Sequence, residues 1–171
     1  MAEREGLVRM GDKPLTLLGD EVNVGDKAPD FEVIGNDMKR VRLADYAGKV
    51  LVLASIPSVD TPVCSAETHR FNAEASDLGD DVAILTISMD LPFAQKRWCG
   101  AEGIEHVVTL SDHRDASFGQ AYGVLIKETR LLARAVFIVD REGVVRYTEI
   151  VPVLGEEPNY ETVLAAVKEL I

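Results

Sequence analysis

Residues 49–56, KVLVLASI, are apolar at nearly every position. A short unbroken run of this kind predicts a strand covered on both faces. The same pattern returns in DVAILTIS, residues 81–88, and in ARAVFIVD, residues 133–140. Between the first two the period changes. Cys64, Phe71, Ala75 and Leu78 fall at steps of seven, four and three, one face of a helix over Thr61 to Leu78. A shorter helix is predicted from Asp90 to Trp98, with Pro92 near its start and Gly100 just past its end.

Further along, HVVTL reads as a short strand and DASFGQAYG as a helix ending at Gly123. VVRYTEIV follows ARAVFIVD through Asp140-Arg141-Glu142-Gly143, a hairpin connection with glycine near its end. NYETVLAAVKELI is an amphipathic C-terminal helix. Upstream, GLVRMGDKPLTLLGD predicts an N-terminal β-hairpin with Gly11-Asp12 at the turn. VGDKAPDFEVIGNDMKRVRL adds two extended pieces around Gly35-Asn36-Asp37. Buried strands alternating with helices, closed by a hairpin, predict an α/β fold: a central mixed sheet with helices on both faces. The 171 residues suit one domain spanning 1–171, with residues 1–20 as a hairpin extension.

The composition sets limits on partners. A formal charge of -11 disfavours nucleic acid and anionic membrane, which both require a basic face. No apolar run approaches the ~20 residues of a membrane span. The N-terminus lacks a signal-peptide core, so a cytoplasmic location is expected. There are two cysteines, and in a reducing cytosol a transient, catalytic disulfide fits better than a permanent one. Cys64 and Cys99 are too far apart for a C-x-x-C pair, and no spacing of Cys and His supports a metal site.

Cys64 stands out by its place. Pro57 breaks the strand that precedes it, Thr61 is a good N-cap, and Pro62 takes the first helical position. Cys64 then lies among unpaired backbone N–H groups at a helix start, where an anion is stabilised. An ordinary thiol with pKa near 8.5 is only about 3 % ionised at pH 7, so a fixed positive charge would help. Arg134 interrupts the apolar run around Ala133 and Ala135. Two placements satisfy it: a strand edge beside a surface carboxylate, or the interior beside an anion such as a thiolate. Thr61 likewise has two roles open, a plain cap or a hydroxyl bonded to the sulfur or to a peroxide oxygen, and both can hold at different steps. Asp60 and Glu67 read as helix-start charges. A Cys–His hydrolase would need a histidine beside Cys64, but His69 lies about 140° around the helix. Trp98 and Phe93 read as packing or dimer-contact residues, and Cys99 taken alone as a core cysteine.

Residues Pro57 to Cys64, PSVDTPVC, fit the P-x-x-x-T-x-x-C signature of the peroxiredoxins. With DLPFAQKRWCGAEG and LARAVFIVD, the chain resembles their thiol peroxidase branch, the atypical two-cysteine peroxiredoxins. The resemblance implies a thioredoxin-like fold and a peroxidase that reduces hydrogen peroxide and organic hydroperoxides, with no cofactor. It implies a homodimer and electrons from thioredoxin. Cys64 matches the peroxidatic cysteine, Cys99 the resolving cysteine, Thr61 and Arg134 the activating pair, and Pro57 the proline that shields the sulfur. The pair would form a Cys64–Cys99 disulfide. Since a disulfide needs Cα atoms within ~7 Å, one helix end is expected to unwind. One residue departs from the pattern: Arg130 stands where glycine is expected. The non-enzymatic alternative is a redox sensor that uses the same two cysteines.

Overall fold

The computed structural model describes all 171 residues, Met1–Ile171. The chain opens with an antiparallel hairpin of β1 (Glu3–Met10) and β2 (Lys13–Leu18), turning at Gly11 with φ 61°. β3 (Glu32–Ile34) and β4 (Arg40–Arg42) form a second, shorter pair, followed by a 3₁₀ turn over Leu43–Tyr46. Then come β5 (Val50–Ser55), α1 (Pro62–Leu78), β6 (Val82–Ser88), α2 (Pro92–Glu102) and β7 (Val108–Ser111). α3 (Ser117–Ala121), β8 (Leu125–Ile126), β9 (Ala135–Val139), β10 (Val145–Ile150) and α4 (Tyr160–Lys168) complete the chain.

Seven strands form the central mixed sheet in the order β10-β9-β5-β6-β7-β3-β4. β5, β6 and β7 run parallel, as their helical crossovers require, while β9 lies antiparallel to β5. Side chains of β5 alternate between two cores. Leu51 and Leu53 join the cluster that holds the hairpin residues Val8, Leu15 and Leu17 and the aromatic Phe118 of α3. Val50, Val52 and Ala54 join the cluster that holds Phe71 of α1, Trp98 of α2 and Val163 of α4. A strand buried on both faces cannot alternate polar with apolar, which explains the continuous KVLVLASI run.

One boundary near the site differs from the sequence reading, and one short strand is not predicted by it. α2 continues through Cys99 and Gly100 to Glu102, and it is Gly103, at φ 67°, that closes it. The left-handed conformation is free for glycine and satisfies the last turn, with the Gly103 N–H donating to the Cys99 carbonyl. Gly100 is a helix-interior residue, so Cys99 lies inside the last turn of α2 and not beyond its end. β8 has only two residues, too few for any period to show, and is built by pairing with β2.

Arg130 occupies a tight connection in which its N–H donates to the Ile126 carbonyl at 2.9 Å. Its φ is 56°, the left-handed region that side chains with a Cβ enter at a cost. The glycine expected there has a backbone reason. Arg130→Gly should stabilise the protein by about 0.5 kcal/mol, because relief of that cost exceeds the added freedom of the unfolded chain. A rise in Tm of about 1–2 °C by calorimetry is the expected result.

Candidate active site

The register of β9 against β5 creates the site. Ser55, the last residue of β5, pairs with Ala135, the first of β9. The chain leaving β5 toward α1 therefore passes beside Arg134, at the carboxyl ends of the parallel strands where open α/β sheets gather their ligands. β9 lies between β10 and β5 in the sheet, so Arg134 is not at an edge. It is 1 % exposed.

The interior placement of Arg134 is the one that holds. Its Nη2 donates to Cys64 Sγ at 3.2 Å and to the Leu154 carbonyl at 3.1 Å, and its Nη1 donates to Glu67 Oε1 at 3.2 Å. Cys64 and Glu67 are themselves fully buried. Cys64 is the third residue of α1, and its amide and that of Val63 precede the first helical bond, Ser65 N–H to the Thr61 carbonyl at 2.9 Å. The sulfur thus receives a guanidinium hydrogen bond at a helix N-terminus, and both influences favour negative charge.

Thr61 is the N-cap residue of α1, but its hydroxyl bonds neither the helix backbone nor the sulfur. It starts the helix through its extended backbone, φ -107° and ψ 147°, without a side-chain cap. Its Oγ1 donates to the Ser58 carbonyl at 3.0 Å, not to the sulfur. A hydroxyl has one proton, so Oγ1 is left as an acceptor. Thr61 lines a cleft with Met10, Pro57, Pro62, Val63, Arg134, Leu154 and Gly155, of about 240 Å³. The cleft places Pro57 beside Arg134 and Thr61, and its remaining lining is largely apolar. The hairpin forms one wall. Arg9 N–H donates to the Pro152 carbonyl at 2.8 Å and Leu154 N–H to the Arg9 carbonyl at 3.0 Å, which also fixes the Leu154 carbonyl that receives Arg134.

Glu67 is not the helix-start charge that the sequence suggests: it lies beyond the first turn of α1 and is fully buried. It lies three residues after Cys64, on the same stripe as Phe71 and Leu78, and the helical period that located the stripe would have placed it inside. Burial raises its carboxyl from 4.5 to about 8, against the opposing pull of Arg134. A proton on Glu67 leaves the guanidinium charge to the sulfur. In the window from about 4.5 to about 8 the folded protein binds a proton that the unfolded chain has released, so stability falls as pH rises through it. Glu67→Gln should flatten that dependence: urea midpoints at pH 5 and pH 8 should lie closer together in the variant than in the parent. Equal slopes would show that Glu67 is ionised throughout.

Cys99 stands apart from this cluster. Its sulfur lies 3.3 Å from Thr109 Oγ1 on β7, and both cysteines are free thiols. His69 meets Glu102 at 3.3 Å and places its ring edge against Trp98, so it serves no sulfur. Trp98 is a packing residue, 9 % exposed, whereas Phe93 is 68 % exposed.

Known proteins resemble this chain along nearly its whole length. Residues 23–164 match the Redoxin family. The thiol peroxidase of Bacillus subtilis is 58 % identical over 158 residues, 92 % of this chain and 94 % of that protein. The thiol peroxidase of Listeria innocua is 56 % identical over 156 residues, 91 % of this chain and 94 % of its relative. Among solved structures, a peroxiredoxin-like protein from Aquifex aeolicus superposes with a TM-score of 0.91 at 42 % identity, covering 100 % of both chains. The thiol peroxidase from Chromobacterium violaceum, 23 % identical, shares the fold with a TM-score of 0.84 over 95 % of each chain. The architecture is thioredoxin-like, a mixed sheet with helices on both faces. With a buried cysteine held by a buried arginine and this degree of kinship, the chain belongs to the peroxiredoxins, in their thiol peroxidase branch, and is a peroxidase.

Proposed function

We propose that the protein reduces hydroperoxides at Cys64 and is recycled through a Cys64–Cys99 disulfide by a thioredoxin-type dithiol. The observation that carries this reading is the 3.2 Å bond from the buried Arg134 to the Cys64 sulfur. The Cys64 thiolate attacks one peroxide oxygen, the O–O bond breaks, and the electron pair leaves on the alkoxide or hydroxide, which takes up a proton. Arg134 and the helix-start amides stabilise the charge as it moves from sulfur to the leaving oxygen. Thr61 Oγ1, its proton engaged by Ser58, accepts the hydrogen bond of a peroxide O–H. Pro57 walls the cleft against water.

Cys64 is then a sulfenic acid. Cys99 displaces water from it to give the disulfide, and exchange with an external dithiol returns both thiols. The apolar walls formed by Met10, Val63 and Leu154 support organic hydroperoxides as substrates alongside hydrogen peroxide. The half-exposed Leu91 and exposed Phe93 at the start of α2 support a homodimer. No helix is long and apolar enough to cross a membrane, and a reducing cytoplasm would supply the dithiol.

Hydroperoxide loss coupled to thioredoxin oxidation tests the reading. Many turnovers per protein are expected. Loss of one equivalent followed by silence would favour a redox sensor over an enzyme.

A further inference from the structure

Cys64 and Cys99 lie on different helices with different partners, so the chain around one of them must rearrange before the sulfurs join. The loop that leads into α1 is tied down at the junction of β6 and α2. Asp90 lies there, between Ser88 and Pro92. Its carboxylate accepts from the Ser58 hydroxyl at 2.7 Å and from the Val59 N–H at 2.9 Å. It also accepts from the Ser88 hydroxyl at 2.6 Å, and its own carbonyl accepts from the Ser111 hydroxyl at 2.6 Å. Gln95, buried in α2, donates to Ser88 Oγ at 3.0 Å and to the Leu110 carbonyl at 2.8 Å. The aspartate is therefore fixed to the ends of β6 and β7 and to the body of α2, and the loop after β5 hangs from it.

That loop carries Thr61. The Ser58 carbonyl accepts both the Thr61 hydroxyl, at 3.0 Å, and the Thr61 N–H, at 3.3 Å. Orienting Ser58 and Val59 thus orients Thr61 and the start of α1. Asp90 touches none of the cleft residues' reacting atoms and belongs to no role assigned above.

We propose that Asp90 is a positioning residue whose carboxylate latches the Ser58–Thr61 loop to the base of α2. The latch holds Thr61 for the peroxide step and opposes the rearrangement that brings Cys64 to Cys99. This rests on the reading of Cys99 given above. The step it restrains is the attack of the Cys99 thiol on the Cys64 sulfenic acid, which forms the S–S bond and releases water. Bonds from neutral donors to a carboxylate are the stronger kind, so their loss shifts both steps, in opposite directions.

Asp90→Ala tests the latch by stopped flow with an alkyl hydroperoxide. In a Cys99→Ser background, oxidation of Cys64 should slow by about tenfold, the equilibrium effect of one such bond. With Cys99 present, the sulfenic acid should pass to the disulfide several times faster than in the parent. Less Cys64 should then reach the sulfinic acid in excess peroxide. Asp90→Asn, which keeps the shape and one acceptor, should recover much of the parent behaviour. Ser58→Ala removes one anchor without touching the aspartate and should move both rates the same way by a smaller factor; it carries the test if Asp90→Ala unfolds. The proposal is overturned if both steps slow together, as general loosening of the fold would produce, or if neither changes by twofold. A parent that forms the disulfide while the variants form it no faster contradicts the latch alone. A parent that forms no Cys64–Cys99 bond contradicts the latch and the assignment of Cys99 together.

Discussion

Arg134→Lys is expected to slow the reaction of Cys64 with alkyl hydroperoxide by about 10²–10³, the usual cost of deleting one preorganised donor to a developing oxyanion. The charge survives in this variant, so the loss isolates geometry. The guanidinium makes three bonds in one plane, to Glu67, to the Leu154 carbonyl and to Cys64. A lysine ammonium is a compact charge on a flexible stem and cannot reproduce that fork. On the mechanism proposed above, the same Nη2 that bonds the sulfur stabilises the leaving oxygen as it forms. Single-turnover oxidation in a Cys99→Ser background reads this rate directly. Stability should drop as well, because Glu67 remains buried with a poorer partner, and unpairing one member of a buried ion pair costs about 3–5 kcal/mol when the other stays charged. Glu67 can retain its proton instead, so the loss should fall below that range, and less at pH 6 than at pH 9. A variant with lowered Tm and undiminished peroxide rate would remove Arg134 from the chemistry and leave it a structural ion.

Cys99→Ser should abolish turnover with thioredoxin while sparing the first equivalent of peroxide. The two sulfurs stand in separate surroundings, Cys64 on Arg134 and Cys99 beside Thr109, so removing the second leaves the first cluster intact. Without a resolving thiol, the sulfenic acid persists and excess peroxide carries it to the sulfinic acid, which a dithiol does not reverse. The expected record is a fast burst of one equivalent per chain, then a slower second equivalent as Cys64 gains its second oxygen, and no consumption after that. Sustained cycling by Cys99→Ser at the parent rate would mean that thioredoxin attacks the sulfenic acid itself.

Much of this site is legible in the chain because its parts are local. An apolar run, a proline, a threonine and a second proline place Cys64 at a helix start without knowledge of any neighbour. Arg134 announces itself by interrupting a strand, and a thiolate is one of the two partners open to it; the residues alone cannot choose between them because the β9–β5 register that brings it to Cys64 is a long-range pairing. Glu67 was within reach: its place on the Cys64–Phe71–Leu78 stripe contradicts a solvated role, but a carboxylate near a helix start has a ready local explanation that masks the conflict. The Thr61 hydroxyl was not legible, since its partner depends on the loop conformation that Asp90 sets from across the β6–α2 junction. Gly100 misplaced the end of α2 because either glycine could end a helix; only Gly103 adopts the left-handed φ. At Arg130 the sequence departs from the expected glycine while the backbone keeps the glycine conformation, so the fold and the side chain disagree there.

A mass spectrum of the reduced protein after one equivalent of an alkyl hydroperoxide examines the heart of the account. The protein should lose two hydrogens, and digestion without reductant should yield one linked pair of peptides holding Cys64 and Cys99. A single added oxygen on Cys64 with Cys99 still alkylatable, or oxidation that begins at Cys99, would contradict it.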